Sequence, residues 1–563
     1  MSLTLSTDNE SKSCHSMRLK KPLMFAALAL AAIASITAAF SGNGDVTPLT
    51  PQCPPSPKAI IREHEKIQYI LHDPEFRNHS ASVLSGAIQI DTVVYDIMPD
   101  YSKFENFHAY LKETFPNVYS KATIHKVNDY GLVFEFKGTN SELKPIMLTA
   151  HQDTVPIGDP SDWTEDPFGG RYDGEKVFGR GAMDCKNLLI GIMEAMELRI
   201  IDGKDTFKRG VLLAFGFDEE KSGFDGAKHI GEFLVDYLGE DSVYFLMDEG
   251  MQMFTETMGD YYGMVITGEK GYTDLSITIN TSGGHSSNPR DHTSIGIMSY
   301  FLTSYEDEIY QPVLDHSNPM LKTFQCAAEQ GHIDDSLKSI IQRAAIDPKA
   351  NAMLLEYISN DPILKYTVQT SQAIDIVNGG DKANALPRLV KAMINHRITY
   401  GNSPETIFGK AIKYGKLTAK KYDIGLTVHD KVIFPETENG NMVIDYFGEL
   451  LPTARISPTD EVWEVVTGNM RAFYEDEVFP ELFSDSNSDK KYIIAPSLMT
   501  PNTDTRHYWN VTKNIYKVQP GSINLMEAGP HGPDEWIPMQ VHLEVIAFYY
   551  NLFSDVCQDG SSL

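Results

Sequence analysis

Acidic and histidine side chains follow several apolar runs that have the length and composition of buried strands. Carboxylates and imidazoles are common ligands of zinc, and a carboxylate beside such a site can also accept a proton. A further aspartate, Asp184, lies in the glycine turn GRGAMD just before a helix-like segment. The side chains in question are His151 and Asp153 after PIMLTA, Glu219 and Glu220 after GVLLAFGF, Asp248 and Glu249 after SVYFLM, and His531 after SINLMEAGP.

Each of these residues alone has an ordinary structural interpretation, such as Asp184 as a helix cap or His531 as a surface histidine. The whole set does not, because so many carboxylates at one place would repel one another unless cations neutralised them. Two zinc ions about 3.5 to 4 Å apart can do this when two histidines and three carboxylates bind them and one carboxylate bridges. One carboxylate is then free to act as a base.

The elements that carry these residues predict an α/β fold. The apolar runs Pro145 to Ala150, Gly210 to Phe217 and Ser242 to Met247 alternate with helical stretches such as Asn187 to Ile200. Alternation of this kind is typical of a parallel or mixed sheet that helices cover. Ligands bind outside the carboxyl ends of the strands in open α/β sheets, so we expect the acidic and histidine side chains to meet in one crevice.

A different pattern begins near Glu269, where TDLSITINTS alternates between apolar and polar residues. A polar, helix-like stretch from about 303 to 360 follows, and VKAMINHRITY closes the segment as a strand. This pattern predicts a second, α+β domain inserted into the first. The expected boundaries are 58–266 and 433–563 for the two parts of the catalytic domain and 267–432 for the inserted domain.

The N-terminus predicts a membrane anchor. The uncharged run PLMFAALALAAIASITAAF at residues 22–40 follows a basic stretch and precedes a Pro-rich linker at 41–57. Its length favours a signal anchor, with residues 1–21 in the cytosol and the remainder in a lumen. Cleavage near Ala38 to Ser41, which would release a secreted protein, is the alternative. Sequons at Asn78, Asn280 and Asn510 are compatible with a luminal glycoprotein.

Composition excludes several other classes of protein. The chain has 563 residues and a formal net charge of -29, with 42% hydrophobic and 22% charged residues, which is typical of a globular protein. The acidic balance, without a Lys/Arg stripe, argues against nucleic acid as a partner. Five cysteines without CxxC spacing exclude a zinc ribbon but allow one or two disulfides in a lumen.

Several motifs together resemble the co-catalytic zinc peptidases that include aminoacylase and glutamate carboxypeptidase. The N-terminal anchor, the DEG triplet and TDTRHY are most similar to the carboxypeptidase S branch, the Gly-Xaa carboxypeptidases of the vacuole. The resemblance covers nearly the whole chain after the Pro-rich linker. The motifs are HQDTVP, DWTEDPFGGRYDGEKVFGRGAMDCK, FDEEKSG, LMDEG, SGGHSS, NALP, TDTRHY and HGPDE.

The resemblance implies a role for each candidate residue. Asp153 would fix the tautomer of a zinc-binding histidine, and Glu219 would be the general base that passes a proton from water to the leaving amine. Glu249 competes with its neighbour Asp248 for the same ligand position, and Asp248 is preferred. The implied ligands are His151 and Asp248 for one zinc, Glu220 and His531 for the other, and Asp184 as the bridge.

The inserted domain resembles the lid of this family. His285 would stabilise the tetrahedral oxyanion, while Asn384 and Arg397 would hold the substrate near its carboxylate, with Arg506 as a further candidate. The first hypothesis is therefore a two-zinc carboxypeptidase acting on short peptides at a vacuolar or lysosome-like membrane. An N-acyl-amino-acid amidohydrolase and a non-catalytic metal-binding lid protein are the alternatives, and the oligomeric state is left open.

Overall fold

The computed structural model describes residues 52–98, 100–483, 489–522 and 527–558. The expected membrane span at 22–40, the segment before it and most of the Pro-rich linker lie outside these residues. So does the middle of the expected strand SINLMEAGP, at 523–526. No helix within the described part of the chain combines the length and the apolar composition that a bilayer span requires.

The larger sheet is mixed, as the alternating pattern predicts. Its strand Ile146–His151 lies between Val211–Gly216 and Leu246–Gln252 and is parallel to both, so the carboxyl ends of these three strands share one edge. Thr255–Thr257 pairs with Asp260–Glu269 beside the main path. In spatial order the main path is Thr123–Val127, Gly131–Phe136, Val211–Gly216, Ile146–His151, Leu246–Gln252, Ile515–Gln519, Asp260–Glu269 and Tyr492–Met499.

Helices cover both faces of this sheet. The helix Lys186–Ile201 is apolar on nearly all sides and buried along almost its whole length, as is Met539–Leu552. Their side chains form one core with the sheet strands, including Leu188, Ile192 and Phe548. The other helices before and within this part are His64–His72, Pro74–Ile88, Phe104–Thr114, Pro116–Lys121, Ala227–Leu238, Glu461–Phe473 and Phe479–Leu482, with 3-10 turns at Pro160–Asp162, Glu219–Lys221 and Asp504–His507 and π-helical turns at Tyr474–Val478 and Phe553–Gln558.

A second, six-stranded sheet has its own hydrophobic core. Helices Ser294–Glu306 and Pro404–Tyr422 contribute Phe301 and Ile407 to that core, which they form together with strand residues such as Leu275. All neighbouring strands are antiparallel except for one parallel pair, Gly425–Val428 with Asn441–Leu451. The spatial order is Ser371–Gly379, Leu389–Ile398, Gly271–Asn280, Asn441–Leu451, Gly425–Val428 and Lys431–Phe434.

The two sheets divide the chain differently from the boundaries that the sequence suggests. The sequence ends the inserted domain at 432, whereas the strand Asn441–Leu451 continues its sheet next to Gly271–Asn280. The helix Met320–Gln330 lies against the larger sheet, where Oγ1 of Thr323 donates a hydrogen bond to the carbonyl of Pro496. Pattern alone does not show which sheet a helix covers. The remaining helices are Asp335–Ala344, Pro348–Ser359 and Lys365–Val368.

The described end of the Pro-rich linker packs against the body of the protein. Cys53 is buried and forms a disulfide with Cys326 in the helix Met320–Gln330. The carbonyl of Pro55 accepts a hydrogen bond from Nε1 of Trp463, and the carbonyl of Ser56 accepts one from Arg471. Residues 52–57 are therefore held by the fold. Two smaller sheets complete the structure, Gly284–His285 with Ala385–Leu386, and Arg171–Tyr172, Lys176–Phe178 and Trp536–Pro538.

Candidate metal centre

Asp184 lies between the two histidines of the site. Its Oδ1 is 3.0 Å from Nε2 of His151, and its Oδ2 is 3.1 Å from Nε2 of His531. His151 is the last residue of its strand, whereas His531 comes from a loop 347 residues beyond Asp184. One carboxylate thus faces two imidazoles with different oxygens, which is the arrangement that a bridging ligand requires.

A carboxylate accompanies each histidine. Oε2 of Glu220 lies 3.3 Å from Nε2 of His531, and Oε1 of Glu249 lies 3.6 Å from Nε2 of His151. Ligand atoms of His151, Asp184 and Glu220 all lie within 4.8 Å of one another. The side chains form two adjacent histidine–carboxylate groups that share Asp184.

The strand geometry corrects the sequence-based preference for Asp248, because it places Glu249 beside His151. Adjacent residues of a strand point to opposite faces, and in Leu246–Gln252 it is Glu249 that faces His151. Asp248 is buried on the other side, beside Lys517 and Glu269, and burial raises its pKa to about 7. The structure therefore brings Glu249, and not Asp248, to the metal-binding group.

Asp153 organises two parts of the site at once. Nδ1 of His151 lies 3.0 Å from the backbone carbonyl of Asp153 and 3.4 Å from its Oδ1, so Nδ1 is the donor and Nε2 faces Asp184. The same carboxylate accepts hydrogen bonds from the backbone N–H of Glu219 at 3.1 Å and of Glu220 at 3.0 Å. This geometry suits the positioning role expected for Asp153.

Glu219 and Glu220 lie on a turn rather than on an extended strand end. The strand ends at Gly216, and Glu219–Lys221 form a 3-10 turn. Burial, and then the charge of Glu249, raise the pKa of Glu219 well above its ordinary value. Burial and the charge of Asp184 raise the pKa of Glu220 to about 7. Two neighbouring glutamates therefore occupy distinct surroundings.

The charges around Asp184 fit a cation-binding site. Burial alone would raise its pKa, but hydrogen bonds from His151 and His531 hold the pKa below the ordinary value. Burial raises the pKa of Glu249, and repulsion from Asp184 adds to that effect. In the described part of the chain, Oε1 of Glu220 is buried without a hydrogen-bond partner. Imidazole and carboxylate donors with an unpartnered oxygen suit divalent zinc.

Glu535 is a site residue that the sequence did not single out, although it ends the motif HGPDE. Its buried carboxylate accepts hydrogen bonds from the backbone N–H groups of Gly181, Met183 and Asp184 at 2.8 to 3.1 Å. It also pairs with Nη1 of Arg180 at 2.7 Å, and both side chains are at most 1% exposed. Glu535 therefore fixes the turn that presents Asp184. The only signal in the sequence was its place four residues after His531.

Cys185 also approaches this group. Ligand atoms of His151, Cys185 and Glu249 lie within 4.8 Å of one another. Burial, and then the charge of Glu249, raise the pKa of the Cys185 thiol well above its ordinary value. The thiolate is the form that binds metals, so these surroundings favour a packed neutral thiol.

The three expected lid residues fall into two places. Gly284–His285 pairs with Ala385–Leu386, which puts exposed His285 next to exposed Asn384, and Nδ1 of His285 is 2.7 Å from Oγ of Ser287. Within the described residues, no hydrogen bond joins His285 to Asp184 or its partners. Arg397 is separate from both, half-buried in the strand Leu389–Ile398 over the ring of Tyr272 at 4.8 Å.

The chain is similar to known proteins in both sequence and fold. Residues 147–555 match the sequence profile of the peptidase family M20/M25/M40. Carboxypeptidase S of Saccharomyces cerevisiae is 38% identical over 506 residues, covering 87% of this chain and 86% of that protein. The mouse N-fatty-acyl-amino acid synthase/hydrolase PM20D1 is 29% identical over 482 residues, covering 84% and 86%. The crystal structure of human carnosine dipeptidase 1 shares the fold, with a TM-score of 0.58, 13% identity, and coverage of 89% of this chain and 99% of that one.

Proposed function

The chain belongs to the peptidase family M20/M25/M40, and from this premise we propose that it is a two-zinc carboxypeptidase that releases the C-terminal residue of short, Gly-Xaa-type peptides. The observation that carries the proposal is the position of Asp184, with one oxygen 3.0 Å from His151 and the other 3.1 Å from His531. Two ions that share this carboxylate would be held by His151 and Glu249 on one side and by Glu220 and His531 on the other.

When bound, the zinc ions would supply the positive charge that polarises the scissile carbonyl and acidifies a water molecule. Glu219 accepts the proton of that water as its oxygen bonds to the carbonyl carbon. The same carboxyl group then donates the proton to the amine nitrogen as the C–N bond breaks.

The lid would recognise the substrate. His285 stabilises the oxyanion, Asn384 holds the substrate next to His285, and Arg397 binds the substrate carboxylate. His285 is exposed in the present conformation, so this role requires the lid to close over the substrate. A groove of about 680 Å³ lies beside the His285 strand pair, with Asp381, Arg388 and Lys391 among its lining residues.

A hydrolysis panel on the zinc-loaded chain tests this function. Blocked dipeptides such as Z-Gly-Leu should be cleaved, whereas the same peptides with a C-terminal amide should not. Efficient cleavage of amidated peptides would show that the carboxylate is not recognised and would reject the role of Arg397. Inactivity toward every peptide would reject the carboxypeptidase assignment.

Similarity to the N-fatty-acyl-amino acid synthase/hydrolase supports a second candidate, hydrolysis of N-acyl amino acids. The bond broken is again an amide next to a free carboxylate, so the same site residues would serve. Including N-acetyl and N-fatty-acyl amino acids in the panel separates the two candidates. Higher kcat/KM for N-fatty-acyl amino acids than for Z-Gly-Leu would favour the second.

For the location, we propose a vacuolar membrane with the catalytic region in the lumen. The asparagines of all three sequons, Asn78, Asn280 and Asn510, are exposed and accessible to a glycosyltransferase. The uncharged run at 22–40 would be the anchor. Glycosidase treatment should increase the gel mobility of the protein isolated from its own cells, and protease added to intact vesicles should leave the catalytic region whole. Digestion of that region would reject the orientation.

A further inference from the structure

One short segment contacts both Arg397, at the proposed carboxylate site, and the turn that carries the proposed general base. The segment Asn502–His507 follows the strand Tyr492–Met499 and contains the 3-10 turn Asp504–His507. Its first residue contacts Arg397 of the second sheet, and its last contacts the turn that carries Glu219. Arg397 lies in the second sheet and the Glu219 turn follows a strand of the larger sheet, so the segment contacts both parts of the fold.

Asn502 is held at both ends of its side-chain amide. Its Oδ1 accepts a hydrogen bond from Nη1 of Arg397 at 2.8 Å, and its Nδ2 donates one to the carbonyl of Lys270 at 2.7 Å. Because a carbonyl can only accept and a guanidinium can only donate, these two partners fix which end of the amide is oxygen. Asn502 therefore holds one nitrogen of the guanidinium and leaves the others for another acceptor.

At the other end of the segment, His507 binds the turn that carries Glu219. Its Nε2 lies 2.7 Å from the carbonyl oxygen of Ser222, so Nε2 carries the proton. Ser222 has a φ of 87°, a left-handed conformation that is costly for a residue with a side chain, and its N–H donates to the carbonyl of Glu219 at 2.7 Å. The hydrogen bond from His507 thus stabilises the residue that closes the Glu219 turn.

The middle of the segment is anchored by a buried hydrogen bond and packs against Gly223, which follows the same turn. Oγ1 of Thr503 donates to Oε1 of buried Glu269 at 2.8 Å, which anchors the segment next to the crossover between the sheets. A Cβ added to Gly223, whose φ is +67°, would lie 2.1 Å from Oδ1 of Asp504. Such close contact leaves the segment and the turn little freedom to move independently.

We propose that the segment Asn502–His507 positions both ends of the substrate site, with Asn502 orienting Arg397 for the substrate carboxylate and His507 holding the turn of Glu219. Neither residue touches the reacting atoms, so both are positioning residues. The inference rests on the proposed function in assigning Arg397 to binding and Glu219 to proton transfer. It predicts an effect mainly on KM at the Asn502 end and mainly on kcat at the His507 end.

At the Asn502 end, Asn502→Leu removes both hydrogen bonds at similar volume. It should raise KM for Z-Gly-Leu by about tenfold or more, as expected for a lost hydrogen bond to a charged group, with a smaller change in kcat. The matched variant Asn502→Asp keeps the acceptor for Arg397, and its KM should lie much closer to that of the wild type. A KM of Asn502→Leu equal to the wild-type value would overturn this half.

At the His507 end, His507→Phe keeps the ring that contacts Phe224 at 5.5 Å between centroids but loses the donor. It should lower kcat by about three- to tenfold, with KM little changed. Amide hydrogen exchange at residues 219–226 should become faster. His507→Gln retains an N–H donor and should restore both. Normal exchange and kcat in His507→Phe, or failure of His507→Gln to restore them, would overturn the proposal.

Failure of the proposed function can be distinguished from failure of the positioning roles. Zinc content and thermal unfolding show whether each variant is folded. If Asn502→Leu or His507→Phe does not fold, the conservative variants Asn502→Asp and His507→Gln test the proposal instead. If the wild-type chain cleaved no peptide, the proposed function would be rejected. The exchange rates at 219–226 would still decide whether His507 holds the turn.

Discussion

Oε1 of Glu249 lies 3.6 Å from Nε2 of His151, the same nitrogen that faces Asp184. The neighbouring Asp248 has the same charge and is also buried, but it projects from the opposite side of its strand toward Lys517 and Glu269. Which of the two acids lies beside His151 therefore depends on the face of the strand from which its side chain projects.

Variants of these two acids test the ligand assignment. Glu249→Ala should lower zinc affinity at one of the two sites by more than the ~10- to 100-fold typical of residues outside the ligand shell, and activity should fall with it. Asp248→Asn should retain both zinc ions because its side chain does not face them. Zinc content after dialysis is the measurement. Zinc loss from Asp248→Asn, with full zinc in Glu249→Ala, would restore Asp248 as the ligand.

Zinc content combined with kinetics should also distinguish the roles of Glu219 and Glu220. Glu219→Gln keeps the shape but cannot accept a proton, so both zinc ions should stay bound while kcat falls by roughly 10²- to 10⁴-fold. Glu220→Ala removes a ligand and should lower zinc content and stability as well as activity. A Glu219→Gln protein that turns over normally, or one that has lost zinc, would contradict the assignment.

Glu544 predicts a specific dependence of stability on pH. It is buried and accepts hydrogen bonds from Tyr474 and Ser522, and burial raises its pKa to about 7 from 4.5. Between these values the folded protein keeps a proton that the unfolded chain has released, so the contribution of Glu544 to stability falls as pH rises through this window.

Replacing this acid by its amide removes that dependence. At pH 8 Glu544→Gln should be more stable than the wild type by up to about 3 kcal/mol, and at pH 4 the two proteins should have similar stability. Urea unfolding at both pH values gives the difference. If the difference in stability between the two proteins were the same at both pH values, Glu544 would not have a raised pKa in the folded protein.

The disulfide should make an independent contribution to stability. Cys326→Ser should lower the free energy of unfolding by about 2–5 kcal/mol, because the bridge links residues 273 positions apart. A reducing agent should lower the unfolding midpoint of the wild type but leave that of Cys326→Ser unchanged. Equal sensitivity of both proteins to the reducing agent would count against the bridge.

The sequence predicted much of this fold because local patterns determine local elements. The expected helix at 187–200 is observed as Lys186–Ile201, and the strand expected at 145–150 as Ile146–His151. The two strands that were expected to end before His151 and before the Glu219 turn are parallel neighbours, so both ends lie at the same edge of the sheet. These features can be predicted from the spacing of apolar residues along the chain and from the rule that ligands bind at the carboxyl ends of the strands.

The remaining features depend on tertiary contacts that pattern does not encode. The choice between Asp248 and Glu249 follows from which face of a strand is turned to His151. Glu535 reaches the Asp184 turn from more than 350 residues away, so its contact with that turn depends on the tertiary fold. The pairing of Cys53 with Cys326 likewise depends on a helix packing against the larger sheet.

The bond between Cys53 and Cys326 also affects what happens when the chain is cut. His151, Glu219, Glu249 and His285 all lie between the two cysteines. A single proteolytic nick anywhere in that interval produces two fragments that stay covalently joined. Nicked molecules should migrate as one species without a reducing agent and as two with it. In a compartment rich in proteases, the bridge would keep both halves of a clipped molecule together.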